Sequence, residues 1–146
     1  MNMGKRIAEE AGKWVMEKVP FRHRGTSKFG CDCTGFIIGV MQSLGYLKDY
    51  KLPFYSYDWC VHKDEENILA EIIKYGDEIS VKQIRPGDVV LFQFGRAVSH
   101  AGIYVSGGIF AHNSSDAQKC SFAMLHNSLW EQRLRKAFRF SYDKVA

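Results

Sequence analysis

Apolar positions along this chain recur first with a helical period and later with an alternating one. Ile7, Ala11, Trp14 and Val15 fall at i, i+4, i+7 and i+8, which predicts a first helix of about three turns, ended by Pro20. Phe21 to Gly30 is polar and closed by glycine, and reads as loop. A second helix is predicted from Cys33 to Leu44, with Phe36, Ile37, Val40, Met41 and Leu44 as its apolar stripe and Gly45 as its stop. Cys33 lies three and four positions before Phe36 and Ile37, so it shares their inward face. Gly35 and Gly39 sit four apart in this helix, each at a cost of about 1 kcal/mol against alanine. That cost predicts the close approach of another backbone.

Residues 46–64 show no clear period, and Leu52 to Trp59 reads as an ordered aromatic loop. Asn67 to Tyr75 predicts a short third helix with Ile68, Leu69, Ile72 and Ile73 inward. Arg85-Pro86-Gly87-Asp88 is a turn leading into a buried strand, Val89 to Phe94. His100 to Val105 and Ile109 to Asn113 form a hairpin. Two more strands follow, Cys120 to Leu125 and Ala137 to Tyr142, the second placing Phe138, Phe140 and Tyr142 on one face. Helices come first and antiparallel strands second, with no βαβ alternation. The predicted class is α+β, as a single domain over residues 1–146.

Composition narrows this further. A chain of 146 residues is long enough for one real core, and 46% hydrophobic with 14% aromatic residues excludes disorder. A net charge of +4 suits an anionic polymer such as nucleic acid or a cell wall. Lysine and arginine are scattered, however, with no block to track phosphates, so no nucleic-acid partner is expected. No apolar run approaches the roughly 18 residues of a membrane span. The start, Met1 to Arg6, leads into an amphipathic pattern rather than a signal core, so the expectation is synthesis in the cytoplasm and delivery by some route other than a standard signal. Four cysteines (Cys31, Cys33, Cys60, Cys120) are too few for a disulfide framework and are expected to be free thiols.

Cys33 carries the chemical interest. A helix start favours its thiolate, and His100 and His112 lie on the hairpin. Alternation puts His100, Gly102 and Tyr104 on one face, as it does Gly108, Phe110 and His112. A three-residue loop centred on Ser106 would set the two histidines directly opposite each other; a one-residue shift would set Asn113 opposite His100 instead. In the first register Cys33 attacks, His100 acts as base and then acid, and His112 orients His100. A lone cysteine on an apolar helix face is ordinarily a small hydrophobe; the conjunction with two placed imidazoles is what points to chemistry. Cys31 and Cys33 with Cys60 and His62 make a poor zinc set, because C-x-C is tighter than the usual spacing. No metal or cofactor is expected.

These residues, in this order, resemble the NlpC/P60 family of papain-like cysteine peptidases, which cleave cell-wall peptides. The nucleophile motif is matched by Asp32-Cys33-Thr34-Gly35-Phe36, and the Pro-Gly-Asp strand lead by Arg85-Pro86-Gly87-Asp88-Val89-Val90. The histidine hairpin is matched by Ser99-His100-Ala101-Gly102-Ile103-Tyr104, and the following strand ends in a polar triad member, His112. Pro20 to Gly25, Tyr55 to Trp59 and Leu134 to Phe140 resemble, more narrowly, the phage and gene-transfer-agent cell-wall peptidase subgroup.

The resemblance implies a papain-like fold, with N-terminal helices packed on an antiparallel sheet. It also implies hydrolysis of peptidoglycan stem peptides at the bond between γ-D-glutamyl and a diamino acid, and action at the cell wall from a tail or particle, with phage-tail proteins as partners. Asp32 and Thr34 are implied in holding the substrate, and Ser99 and His23 join them as substrate-binding candidates. A carboxylate at a helix N-terminus is itself favoured, and the Cys33 N–H there is a candidate oxyanion donor. Phe21 stands where many relatives have tyrosine, and His23 replaces a tryptophan common in cellular members. Two rival readings stay open: a wall- or tail-binding module without turnover, and a related Cys–His amidase or acyltransferase.

Overall fold

The computed structural model describes residues 2–51 and 69–146. Helix α1 (Met3–Met16) starts where the Asn2 side chain accepts from the Lys5 N–H at 2.8 Å. It buries Ile7, Ala11 and Trp14, as the period predicts, and Ala8 besides, while Val15 is half-buried. Pro20 does not end it. Lys18 takes a left-handed φ of 54°, and its N–H closes on the Val15 carbonyl at 2.9 Å, so the helix stops at Met16, four residues before Pro20. The stretch read as loop contains a small hairpin, β1 (Thr26–Ser27) paired with β2 (Gly30–Cys31).

Helix α2 (Cys33–Ser43) follows at once, and Gly45, at φ 86°, stops it. The structure goes beyond the predicted stripe, since every residue from Cys33 to Met41 is buried. The glycines explain how. A Cβ on Gly35 would run into the Gly25 carbonyl, and one on Gly39 into the Thr26 carbonyl and the Trp14 ring. The β1 hairpin therefore lies directly on α2, as the cost of those glycines suggested, and the helix is covered on that side too.

Helical residues at 69–72 run into a 3₁₀ turn, Ile73–Tyr75, with Leu69 and Ile72 buried. The start of this predicted helix, the aromatic loop from Leu52 to Trp59, Cys60 and His62 lie outside the described residues. Six strands then build one antiparallel sheet: β3 (Gly76–Ile79), β4 (Val89–Phe94), β5 (Ala97–Ser106), β6 (Ile109–Ser114), β7 (Lys119–Met124) and β8 (Leu134–Phe140). Their order is β3-β8-β4-β5-β6-β7, so the architecture is α+β. Val89, Leu91, Ala101, Ile103 and Ala111 face the helices. Val90, Phe92 and Phe110 form a second cluster on the other face, beneath α3 (Ser128–Arg133). Tyr142 does not continue the β8 alternation; it begins a short α4 (Tyr142–Val145) and is exposed.

The β5–β6 hairpin has a different register from the expected one. Ile103 faces Ala111, Tyr104 faces Phe110 and Ser106 faces Ile109, leaving Val105 as a bulge. The loop is the two-residue Gly107-Gly108, at φ 59° and 81°, the signature of a type I′ turn. Extended from these pairs, the register sets His112 opposite Gly102, two positions from His100. A two-residue displacement preserves side-chain parity, so both imidazoles still share one face.

Candidate active site

Cys33 is the first residue of α2, and its N-cap builds the turn that presents it. Asp32 Oδ1 accepts from the Gly35 N–H at 2.8 Å and from the Thr34 hydroxyl at 3.1 Å. Its Oδ2 accepts from the Arg24 N–H at 3.0 Å. A carboxylate at this end of a helix also meets the positive pole of the helix dipole. The Cys33 thiol, 4% exposed, donates to the Ser99 carbonyl at 3.7 Å. Ser99 directly precedes His100, so the sulfur lies against the backbone of the strand that carries the first imidazole.

His100 Nε2 and His112 Nδ1 are 2.8 Å apart. That bond commits one nitrogen of His100; in the tautomer in which Nε2 donates to His112 Nδ1, the other nitrogen, Nδ1, is the proton acceptor. Burial first, and His112 second, hold His100 down to about 3. Burial holds His112 down to about 4. Both rings are therefore neutral at pH 7, and a neutral imidazole is the form a general base requires.

Sequence reasoning missed the residue that encloses this pair. Trp130, on α3, stacks on His100 with centroids 5.5 Å apart and an interplanar angle of 28°. It meets His112 edge-on at 5.0 Å, and Phe94 meets His100 edge-on at 5.7 Å. The aromatic wall removes water from the imidazoles, which is the physical cause of their depressed pKa values. The available signal was slight: Asn127, a good N-cap, whose side chain accepts from the Leu129 N–H at 2.9 Å.

Cys33, His100 and His112 border a single cleft of about 630 Å³. Ser99 and His23 border it as well, together with Phe21 and the β6–β7 turn at residues 114–117. Asp32 and Thr34 do not. They are 1% and 0% exposed and lie behind the cleft wall, where the Asp32 carboxylate organises the nucleophile turn. Cys31 and Cys120 are also buried. A hydrogen bond with Cys120 and then burial push the Cys31 thiol above the usual range, which disfavours its thiolate. Among the described residues no group of three or more His, Cys, Asp or Glu side chains is placed to hold a metal ion, and no helix is long and apolar enough to cross a membrane.

A sequence profile described as the NlpC/P60 family matches residues 18–139. The chain is 28% identical over 134 residues to a protein of Escherichia coli strain K12 named murein DD-endopeptidase MepS/murein LD-carboxypeptidase, covering 92% of this chain and 61% of that one. It is 28% identical over 137 residues to gamma-DL-glutamyl hydrolase of Bacillus subtilis strain 168, covering 92% of this chain and 29% of the relative. The chain thus spans less than two thirds of each relative. Among solved structures, an NlpC/P60 family protein from Bacillus cereus ATCC 10987 superposes with a TM-score of 0.71 at 18% identity, over 95% of this chain and 40% of that one. At that identity the likeness is one of fold.

Proposed function

The chain belongs to the NlpC/P60 family, and from that premise we propose that it is a cysteine endopeptidase of peptidoglycan stem peptides. Its scissile bond in this reading joins γ-D-glutamyl to a diamino acid. The observation that carries the reading is the single cleft bordered by Cys33 and the hydrogen-bonded His100–His112 pair. The Cys33 proton passes to His100 Nδ1 as the sulfur attacks the amide carbon. The imidazolium, held through Nε2 by His112, returns that proton to the leaving amine, and water then releases the acyl group from sulfur. Ser99 and His23 contact the substrate along the cleft. Asp32 and Thr34 act through the turn that presents Cys33. The name of the B. subtilis relative, a gamma-DL-glutamyl hydrolase, fits an amide bond at a glutamyl residue, and that of the E. coli relative fits murein peptides as the wider substrate class. Delivery to the wall by a phage tail or gene-transfer-agent particle completes the proposal, supported by the likeness at Pro20 to Gly25 and Leu134 to Phe140.

Digestion of purified muropeptides by the wild type and by Cys33→Ser tests it. The wild type is expected to cut within the stem peptide, Cys33→Ser to cut nothing, and a chelator to leave the rate unchanged, because thiol–imidazole chemistry needs no metal. Equal cleavage by the two proteins ends the proposal. Release of the sugar-linked lactyl end would identify an amidase, and binding without cleavage would identify a wall-binding module.

A further inference from the structure

Asn113 follows His112 on β6 and borders the same cleft, while its side-chain amide points the other way, to the Val19–Pro20 segment and the Cys31 and Cys120 sulfurs. It is 0% exposed. Its Nδ2 donates to the Pro20 carbonyl at 3.1 Å and the Val19 carbonyl at 3.4 Å. The same nitrogen lies 3.3 Å from the Cys31 sulfur and 3.4 Å from the Cys120 sulfur. One amide thus touches β7, the segment entering the nucleophile hairpin, and β2, two residues before Cys33.

None of these acceptors depends on Asn113. The Val19 carbonyl already takes the Cys120 N–H at 2.7 Å, and the Pro20 carbonyl takes the Cys31 N–H at 3.0 Å. Thiol sulfurs are weak acceptors. Meanwhile Asn113 Oδ1 is buried without a hydrogen-bond partner among the described residues, a state that costs stability. Rotating the amide would not relieve it, since Oδ1 would then face two carbonyl oxygens. An apolar side chain of similar size would leave no unpaired amide oxygen here, so the hydrogen bonds of Asn113 are not what the stability of this site requires.

We propose that Asn113 is a positioning residue: its amide sets the separation between the Cys33 turn and the strand carrying His112, and so the approach of the sulfur to His100. The inference rests on the peptidase reading for its kinetic test, but not for its chemical one. The variant is Asn113→Leu, which keeps the bulk and removes the hydrogen bonds, with Asn113→Thr restoring a single donor.

All measurements are made well below the variants' melting temperatures. Asn113→Leu is expected to keep or raise Tm, to lower kcat by about tenfold or more with KM little changed, and to move the pH midpoint of Cys33 alkylation by iodoacetamide upward, toward the ordinary thiol value of about 8.5. Peptide mapping assigns the alkylated cysteine. Asn113→Thr is expected to recover part of both effects. An unchanged kcat and midpoint in Asn113→Leu overturns the proposal, as does a fall in kcat with the midpoint unmoved, or a threonine variant as impaired as leucine. A wild type that cleaves no stem peptide sinks the peptidase reading instead, and the alkylation midpoint still decides the role of Asn113.

Discussion

Replacing His112 with alanine removes the partner of His100 Nε2 at 2.8 Å from a site where neither ring is open to solvent. Two costs follow. In the ground state a buried ring nitrogen is left unpaired, at about 1–3 kcal/mol; in a chain of this size each kcal/mol lowers Tm by about 2–4 °C. In the transition state the loss is of another kind, because His100 becomes positively charged as it takes the thiol proton. A hydrogen bond to a charged group contributes about 1.5–3 kcal/mol, and at about 1.4 kcal/mol per decade kcat should fall by about 10- to 150-fold. KM should change little, because His112 acts on the base rather than on the bound peptide. Steady-state cleavage of reduced muropeptides, followed chromatographically, measures both constants. His112→Asn supplies an amide oxygen as acceptor and should recover most of the loss. An alanine variant that keeps more than about half of the wild-type kcat, or an asparagine variant no faster than alanine, would refute the orienting role.

The burial of the imidazoles and the packing of the helical glycines each set a further outcome. Burial holds His100 and His112 down to about 3 and about 4, against an ordinary value of 6.5. The unfolded chain takes up these protons near pH 6.5 while the folded one resists, so the pair favours folding above pH 6.5. That contribution is lost progressively as pH falls through about 4 to about 3, on the order of a few kcal/mol. Calorimetry should therefore show Tm falling below pH 6.5 with a shallower slope in His112→Phe, and equal slopes would contradict the burial argument. Two helical glycines should respond in opposite directions. Gly12→Ala places a Cβ no closer than 4.0 Å to Phe122 and should gain up to about 1 kcal/mol of helix propensity. Gly39→Ala drives a Cβ into the Thr26 carbonyl and the Trp14 ring and should lose about 1–3 kcal/mol; thermal melts of the pair showing the same sign would refute the packing described for α2.

The elements legible in the sequence were those whose signal is local. Cys33 to Leu44 carries a dense apolar run and a glycine stop, and Val89 to Phe94 an apolar run interrupted only by Gln93, and both elements lie where their patterns place them. Side-chain parity on the hairpin was equally legible, because a period of two depends only on the strand itself. Register was not. It depends on whether two or three residues make the loop, and the bulge at Val105 answers to packing against other strands. The same holds for β3, whose Gly-Asp-Glu-Ile sequence has no strand character and forms by pairing with β8. Trp130 was hidden for a related reason. A six-residue helix has too few turns for a period to show, and its importance comes from the histidines it covers, thirty and eighteen positions earlier in the chain.

The two cysteines of Cys31-Asp32-Cys33 show why neither burial nor spacing identifies a nucleophile. Both are deeply buried, at 0% and 4% exposure, and they are separated by one residue. The chain reverses direction between them: Cys31 closes β2 with its sulfur facing Cys120 and the Asn113 amide, while Cys33 opens α2 on the cleft. What surrounds Cys31 raises the cost of its thiolate, since the Cys120 thiol and a desolvated core outweigh the Asn113 N–H that would favour it. What surrounds Cys33 is a helix N-terminus, a carbonyl that accepts its proton at rest, and a cleft shared with two neutral imidazoles. Reactivity in the proposed mechanism therefore follows from the reversal that Asp32 caps. A substitution that loosened this turn, without touching either sulfur, would blur the chemical difference between the two thiols.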